Sequence, residues 1–171
     1  MRRLSIVILV AFLSLGKGWS QELVLVKDTV NNLQIGVPAG WKFAVLVDQL
    51  VYFIAYRQKT DVDDVLIENF NINIFTSENK NFNSSFKWYI KSISDAKGFK
   101  ILEQGNQKIN QRKYKYIIQS HENDLNGVPM IHYNFFTNDK GRVVILTMVS
   151  YPGQFANYRN LFSQIALSLR F

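Results

Sequence analysis

No cysteine occurs anywhere in the 171 residues. That excludes disulfides, thiolate zinc sites and thiol catalysis together. It also excludes the lipid-modified cysteine that tethers bacterial lipoproteins. Proline is nearly as scarce, and Pro38, Pro129 and Pro152 each border a strand-like run, where the missing N–H does least harm to a ladder. The only histidines are His121 and His132. They fall short of the three protein ligands that a catalytic zinc requires, so no metal site is expected. No G-x-S-x-G elbow and no glycine-rich phosphate loop is present. Ser120 beside His121 is not a nucleophile–base pair, because adjacent strand residues point to opposite faces. No catalytic residue and no cofactor is expected.

Long apolar runs are lacking too. Leu4 to Leu15 is uncharged and apolar, but a membrane-spanning helix needs about 20 residues. Arg2 and Arg3 precede the run, and Gly18-Trp19-Ser20 follows it with small residues at the −3 and −1 positions of a cut before Gln21. These are the three parts of a secretory signal peptide. Residues 1–20 are read as that signal, with an uncleaved N-terminal anchor as the alternative. The mature chain is expected in the periplasm or outside the cell. The net charge of +7 includes Arg2, Arg3 and Lys17, so the mature protein keeps 17 basic against 13 acidic residues, or +4. Such a balance allows weak contact with an anionic surface. It is not the dense basic stripe of a nucleic-acid binder.

The remainder is rich in patterned segments. Residues 21–32 form an N-terminal segment, and a single domain is expected over residues 33–171. Leu33, Ile35 and Val37 alternate like a half-buried strand. Pro38 suits the first central position of a tight turn that ends at Gly40. Residues 43–47 and 51–56 read as a hairpin around Asp48-Gln49. Residues 59–65 read as a polar acidic loop; Leu66 and Ile72 stand where a calcium loop would place its glycine and its glutamate. From Ile67 to Phe75 the chain alternates Phe70, Ile72 and Ile74 against Asn69, Asn71 and Asn73. A helix follows, capped by Ser84 or Ser85, with Phe86, Tyr89, Ile90 and Ile93 on one stripe and Gly98 at its end. Four consecutive strands are then predicted over 99–109, 114–121, 130–137 and 143–151. Their turns hold Asn110-Gln111, Asp124–Gly127 and Asn138–Gly141. The last strand is apolar on both faces and should be central. A closing helix carries Phe155, Tyr158, Leu161, Phe162, Ile165 and Leu169. Trp41 and Trp88 are expected to report on the core.

Short joining turns imply antiparallel neighbours. The expected architecture is α+β, an α-β-α layered sandwich with amphipathic helices on the faces of an antiparallel sheet. Four local signatures carry a family resemblance over Leu33 to Phe171. "GVPAGW" resembles the P-x-GW opening of the PsbP/DcrB/Mog-type superfamily, and "ENFNINIF" its central strand. "SSFKWYIKSI" and "FSQIALSLRF" stand where that superfamily has its middle and closing helices. The resemblance implies the same sandwich, and proteins that act as binding or assembly factors more than as enzymes. The superfamily's functional residues do not carry over, and the match is to its bacterial exported branch.

Two patterns are candidates for recognition. Asparagine is disfavoured in strands, so the run Asn69, Asn71 and Asn73 is either an exposed face near a sheet edge or the polar wall of a groove. Trp41 is read as a packing anchor at the first corner, with a surface contact as the alternative. Lys108, Arg112, Lys113 and Lys115 cluster at one hairpin turn and read as a solvated basic tip. The expected function is an exported, non-enzymatic binding or assembly accessory of the cell envelope, acting as a monomer on an envelope protein. The alternative is a carrier of a small or lipidic ligand in a sheet–helix cleft.

Overall fold

The computed structural model describes residues 21–171, apart from 30–31, 47–50, 63, 65, 78–80, 124–125 and 140. The expected signal (residues 1–20) and the expected turn at Asp48-Gln49 lie outside the described residues. In chain order the elements are β1 (Leu23–Asp28), β2 (Leu33–Pro38), β3 (Lys42–Val45), β4 (Val51–Tyr56), β5 (Asn69–Thr76), α1 (Phe82–Ile93), β6 (Lys100–Ile109), β7 (Arg112–Glu122), β8 (Pro129–Asp139), β9 (Arg142–Ser150) and α2 (Phe155–Ser168). Seven strands form one antiparallel sheet in the order β3-β4-β5-β9-β8-β7-β6, and β1 and β2 form a separate ribbon. β9 is central, as its two apolar faces require.

The alternation along each strand sorts the core into two layers. One face presents Phe53, Phe70, Ile72, Ile118, Phe135, Leu146 and Met148, which meet Leu161, Phe162 and Ile165 of α2 and Leu33, Ile35 and Val37 of β2. The other presents Ile117, Phe136, Val143 and Ile145 to Tyr89, Phe82, Phe86, Ile90 and Ile93 of α1. The result is a helix–sheet–helix sandwich, with the β1–β2 ribbon sharing the α2 layer. Gly36 of β2 is needed there, because a Cβ would lie 2.9 Å from Leu23 and 3.0 Å from the Ser168 hydroxyl.

Several local expectations are corrected. Trp41 N–H donates to the Pro38 carbonyl at 3.0 Å, so Pro38 opens the turn as the last residue of β2. Gly40, with φ of +83°, is a central residue of that turn, at the position where only positive φ fits. The N-cap of α1 is Asn81, whose side chain accepts from the N–H groups of Asn83 and Ser84. Ser84 and Ser85 lie inside the helix, because Phe82 and Phe86 both turn inward one helical turn apart. The helix ends with its cap at Ser94. Gly98 does adopt a left-handed φ of +71°, but in the following turn. β1 had no clear sequence signal. Its Val24 and Leu25 remain over half exposed, so it lacks the in–out contrast that marks a strand.

Candidate functional site

Trp41 begins at the turn that Gly40 makes possible. Its ring is 8% exposed and lies tilted on Phe70 with centroids 6.2 Å apart. Phe70 in turn stacks on Phe53. The packing-anchor reading therefore holds. The same corner, however, walls a cleft of about 940 Å³. Its far wall is the first half of α2, with Asn157, Tyr158 and Leu161, and its side is the segment after β4, with Arg57, Gln58 and Thr60.

Arg57 organises that side. Its Nε donates to Glu68 Oε2 at 2.7 Å, its Nη1 to Asp64 Oδ2 at 3.0 Å and its Nη2 to Asp64 Oδ1 at 3.1 Å. Nη1 also reaches the Gln58 carbonyl at 2.9 Å. Asp64 further accepts from the backbone N–H and the hydroxyl of Thr60. The hydrogen bonds from Arg57 and then Thr60 hold its carboxyl well below the ordinary carboxylate range. Glu68 is 2% exposed, and the guanidinium is what makes its buried position tolerable. Asp64 is thus a structural clasp rather than part of a solvated acidic loop. Gln58 Nε2 donates to the Gly40 carbonyl at 3.0 Å, and Gln21 Nε2 to the Ala39 carbonyl at 3.1 Å. These bonds tie the clasp to the corner. With two carboxylates on one guanidinium, the cleft presents no spare positive charge. Its accessible groups are amides, a hydroxyl and aromatic edges, and burial raises the Tyr158 pKa, which keeps the phenol neutral. Such a lining is suited to uncharged polar groups beside an apolar floor.

The asparagines lie elsewhere. β5 is the third strand of seven, paired to β4 on one side and β9 on the other. All three side chains are half-buried, so the sheet-edge expectation is wrong. They point to the α1 face, since the intervening Phe70 and Ile72 are fully buried on the α2 face. Trp41 and the amide stripe are therefore on opposite faces of the sheet. Across the strands, Asn71 is level with Thr147 and Thr147 with Asn134, while Asn73 is level with Ile145 and Phe136. The Tyr89 hydroxyl of α1 hydrogen-bonds Thr147, and burial raises its pKa.

The histidines adjoin this face. Gln119 is opposite His132, and His121 is two residues along. Their rings stack with centroids 4.1 Å apart. Burial, with the second ring nearby, pushes His132 down to about 3. Among the described residues no group of three His, Cys, Asp or Glu side chains is placed to hold a metal ion. Among the described residues, Asn73 Oδ1, Gln119 Oε1, His132 Nε2 and Asn134 Nδ2 are buried without a hydrogen-bond partner, and all four belong to this one face. The basic tip is also more structured than expected. Arg112 lies 4.1 Å over the Phe171 ring and donates to the Phe171 main-chain oxygen at 3.1 Å. Lys115 Nζ sits 5.0 Å from the Phe86 ring.

The sandwich, its strand order and the appended ribbon define the class: this is a PsbP/Mog1-like α+β fold. Solved structures of that fold superpose on nearly the whole chain. Cyanobacterial PsbP (CyanoP) from Synechocystis matches 91% of this chain and 95% of its own, with a TM-score of 0.65 at 14% identity. The Ran-binding protein Mog1p of Saccharomyces cerevisiae matches 88% and 96%, with a TM-score of 0.61 at 9% identity. LpqN of Mycobacterium tuberculosis, described as involved in cell envelope biogenesis, matches 85% and 87%, with a TM-score of 0.56 at 11% identity. At such identities the likeness is one of fold. No protein-family model and no curated protein sequence matches the chain.

Proposed function

We propose that this chain is an exported, non-enzymatic binding or assembly accessory of the cell envelope, and that its partner docks in the Trp41 cleft. The observation that carries the reading is the cleft itself: about 940 Å³ bounded by Trp41, Asn157 and Tyr158, held open by the Arg57–Asp64–Glu68 clasp. Its lining matches a polar segment of a partner protein better than a lipid tail, because amides left against hydrocarbon would lose their hydrogen bonds. A small uncharged polar molecule is the second occupant that this lining suits. The fold is compatible with such a role, since Mog1p binds Ran and LpqN serves envelope biogenesis.

The test is affinity capture from an envelope fraction of the source cell, using the mature chain and its Asn157→Trp variant. Asn157 is exposed on α2, so an indole there fills the mouth of the cleft without disturbing the core. Capture of a defined envelope protein is expected, with loss of at least about tenfold in the variant and an unchanged thermal midpoint. Equal capture by both chains would reject the cleft as the docking site.

A further inference from the structure

α1 covers β7, β8 and β9 with one side and turns Ser84, Lys87, Trp88 and Lys91 outward, all four exposed. We infer that this outer stripe, with the basic β6–β7 hairpin beside it, docks on a membrane surface of anionic phospholipid. The contact lies on the side of the sheet away from the Trp41 cleft and does not depend on the reading of that cleft.

The stripe follows from helical spacing. Phe82, Phe86, Tyr89 and Ile93 turn inward on Phe136 and its neighbours. At about 3.6 residues per turn, residues 84, 87, 88 and 91 then fall on the opposite side. Trp88 is 57% exposed, which overturns the expectation that it reports on the core. Its ring is nonetheless steadied by Phe75, which it meets edge-on with centroids 5.7 Å apart. Lys87 and Lys91 flank the indole, and α1 carries no acidic residue. Past its end, Asp95 is exposed and Glu122 is paired by Lys97.

The hairpin enlarges the field. Lys113 and Lys115 share the face of Ile117, which lies beneath α1, and Lys108 stands directly opposite Lys113. Like charges so placed repel, and neither ammonium group has an ion-pair partner among the described residues. Lys115 Nζ is 5.0 Å from the Phe86 ring, next in sequence to Lys87, so hairpin and helix form one basic surface. On the α2 side the carboxylates are taken up, Asp64 and Glu68 by Arg57 and Glu103 by Arg159. An anionic bilayer matches this segregation. It attracts each lysine held near it, and an indole settles at the level of its headgroups. A protein partner fits the stripe less well, because lysine is depleted from protein interfaces and here brackets Trp88. A chain docked by this face holds the Trp41 cleft away from the bilayer.

The experiment is sedimentation of the chain from Gln21 onward, which holds every described element, with phosphatidylcholine vesicles. These contain either no phosphatidylglycerol or about a third of it. Binding is expected to the anionic vesicles alone, weakening at least about tenfold between about 50 mM and about 300 mM salt as the field is screened. Lys87→Gln with Lys91→Gln should cost at least about tenfold, since each lysine near the surface contributes about fivefold. The thermal midpoint should not move, because both side chains are exposed. Brominated lipid should quench the emission of the wild type but not of Trp88→Phe, which keeps only the buried Trp41. Absence of binding to anionic vesicles overturns the inference, as does equal binding to neutral ones. Binding that the double substitution leaves intact, or equal quenching in both chains, overturns it too. The Asn157→Trp variant should bind vesicles like the wild type, so the membrane face and the cleft fail or stand separately. Loss of protein capture in the double variant without any vesicle binding would make the face a protein contact, and would also overturn the inference.

Discussion

Trp41 joins three aromatic rings into one stack, running through Phe70 to Phe53 and on to Phe43. Because the indole is 8% exposed, Trp41→Ala leaves a cavity against rings that cannot close over it. A loss of about 3 to 5 kcal/mol is expected, measured as a drop in the denaturant midpoint with little change in slope. A loss below about 1 kcal/mol would make the ring a surface contact. His132 gives a different signature. Its folded-state pKa lies near 3, below the value of an unfolded histidine, about 6.5. Between those values the unfolded chain binds a proton that the folded chain refuses, so stability rises with pH through this window. The stabilisation is complete above about pH 6.5 and is lost as pH falls toward 3. From pH 7 to pH 5, His132→Gln should flatten the pH dependence by up to about 2 kcal/mol, seen in denaturant melts at the two pH values. Equal slopes for both chains would mean that the buried ring does titrate.

Among the elements, the hairpin joining β6 and β7 shows what local chemistry controls. Asn110 and Gln111 have φ of 50° and 68°, the paired positive values of a type I′ turn. Asn110 suits that conformation and donates to the Leu169 carbonyl at 3.1 Å, which fastens the turn to the end of α2. Gln111 is exposed and has no such compensation for its Cβ clash. Gln111→Gly should therefore stabilise by about 1 kcal/mol, read as a higher urea midpoint. A lower midpoint would show that chain entropy in the unfolded state outweighs the strain. The turn residues were legible because their preference is intrinsic. The cap of α1 was not: Ser84 or Ser85 was expected from the sequence, and Asn81 holds the place. The choice among them falls to the inward packing of Phe82 and Phe86 on Phe136.

For the molecule as a whole, export is the prediction that stands on the sequence of residues 1–20 alone. Intact-mass analysis of the secreted chain should give a product beginning at Gln21, and recovery of the full-length chain in the cytosol would refute it. No helix among the described residues is long and apolar enough to cross a membrane. The layered architecture was largely legible. Strand alternation, amphipathic helices and turn residues each act over fewer than about ten residues, and together they leave few ways to bury every stripe. The doubly apolar run of β9 even located the sheet's centre. The candidate sites were legible only as residues. The amide stripe and Trp41 both stood out, yet nothing local tells that Trp41 turns toward α2 while the asparagines turn toward α1. The Arg57–Asp64–Glu68 clasp had no signal, because a charge pair across a loop looks the same as two solvated ions. The stacking of His121 on His132 depended on register, and a slip by one residue would have parted the rings. Periodicity along the chain thus determines which side chains share a face. What covers that face, and which groups are left there without partners, follows from contacts between elements far apart in sequence, and only the tertiary structure decides them.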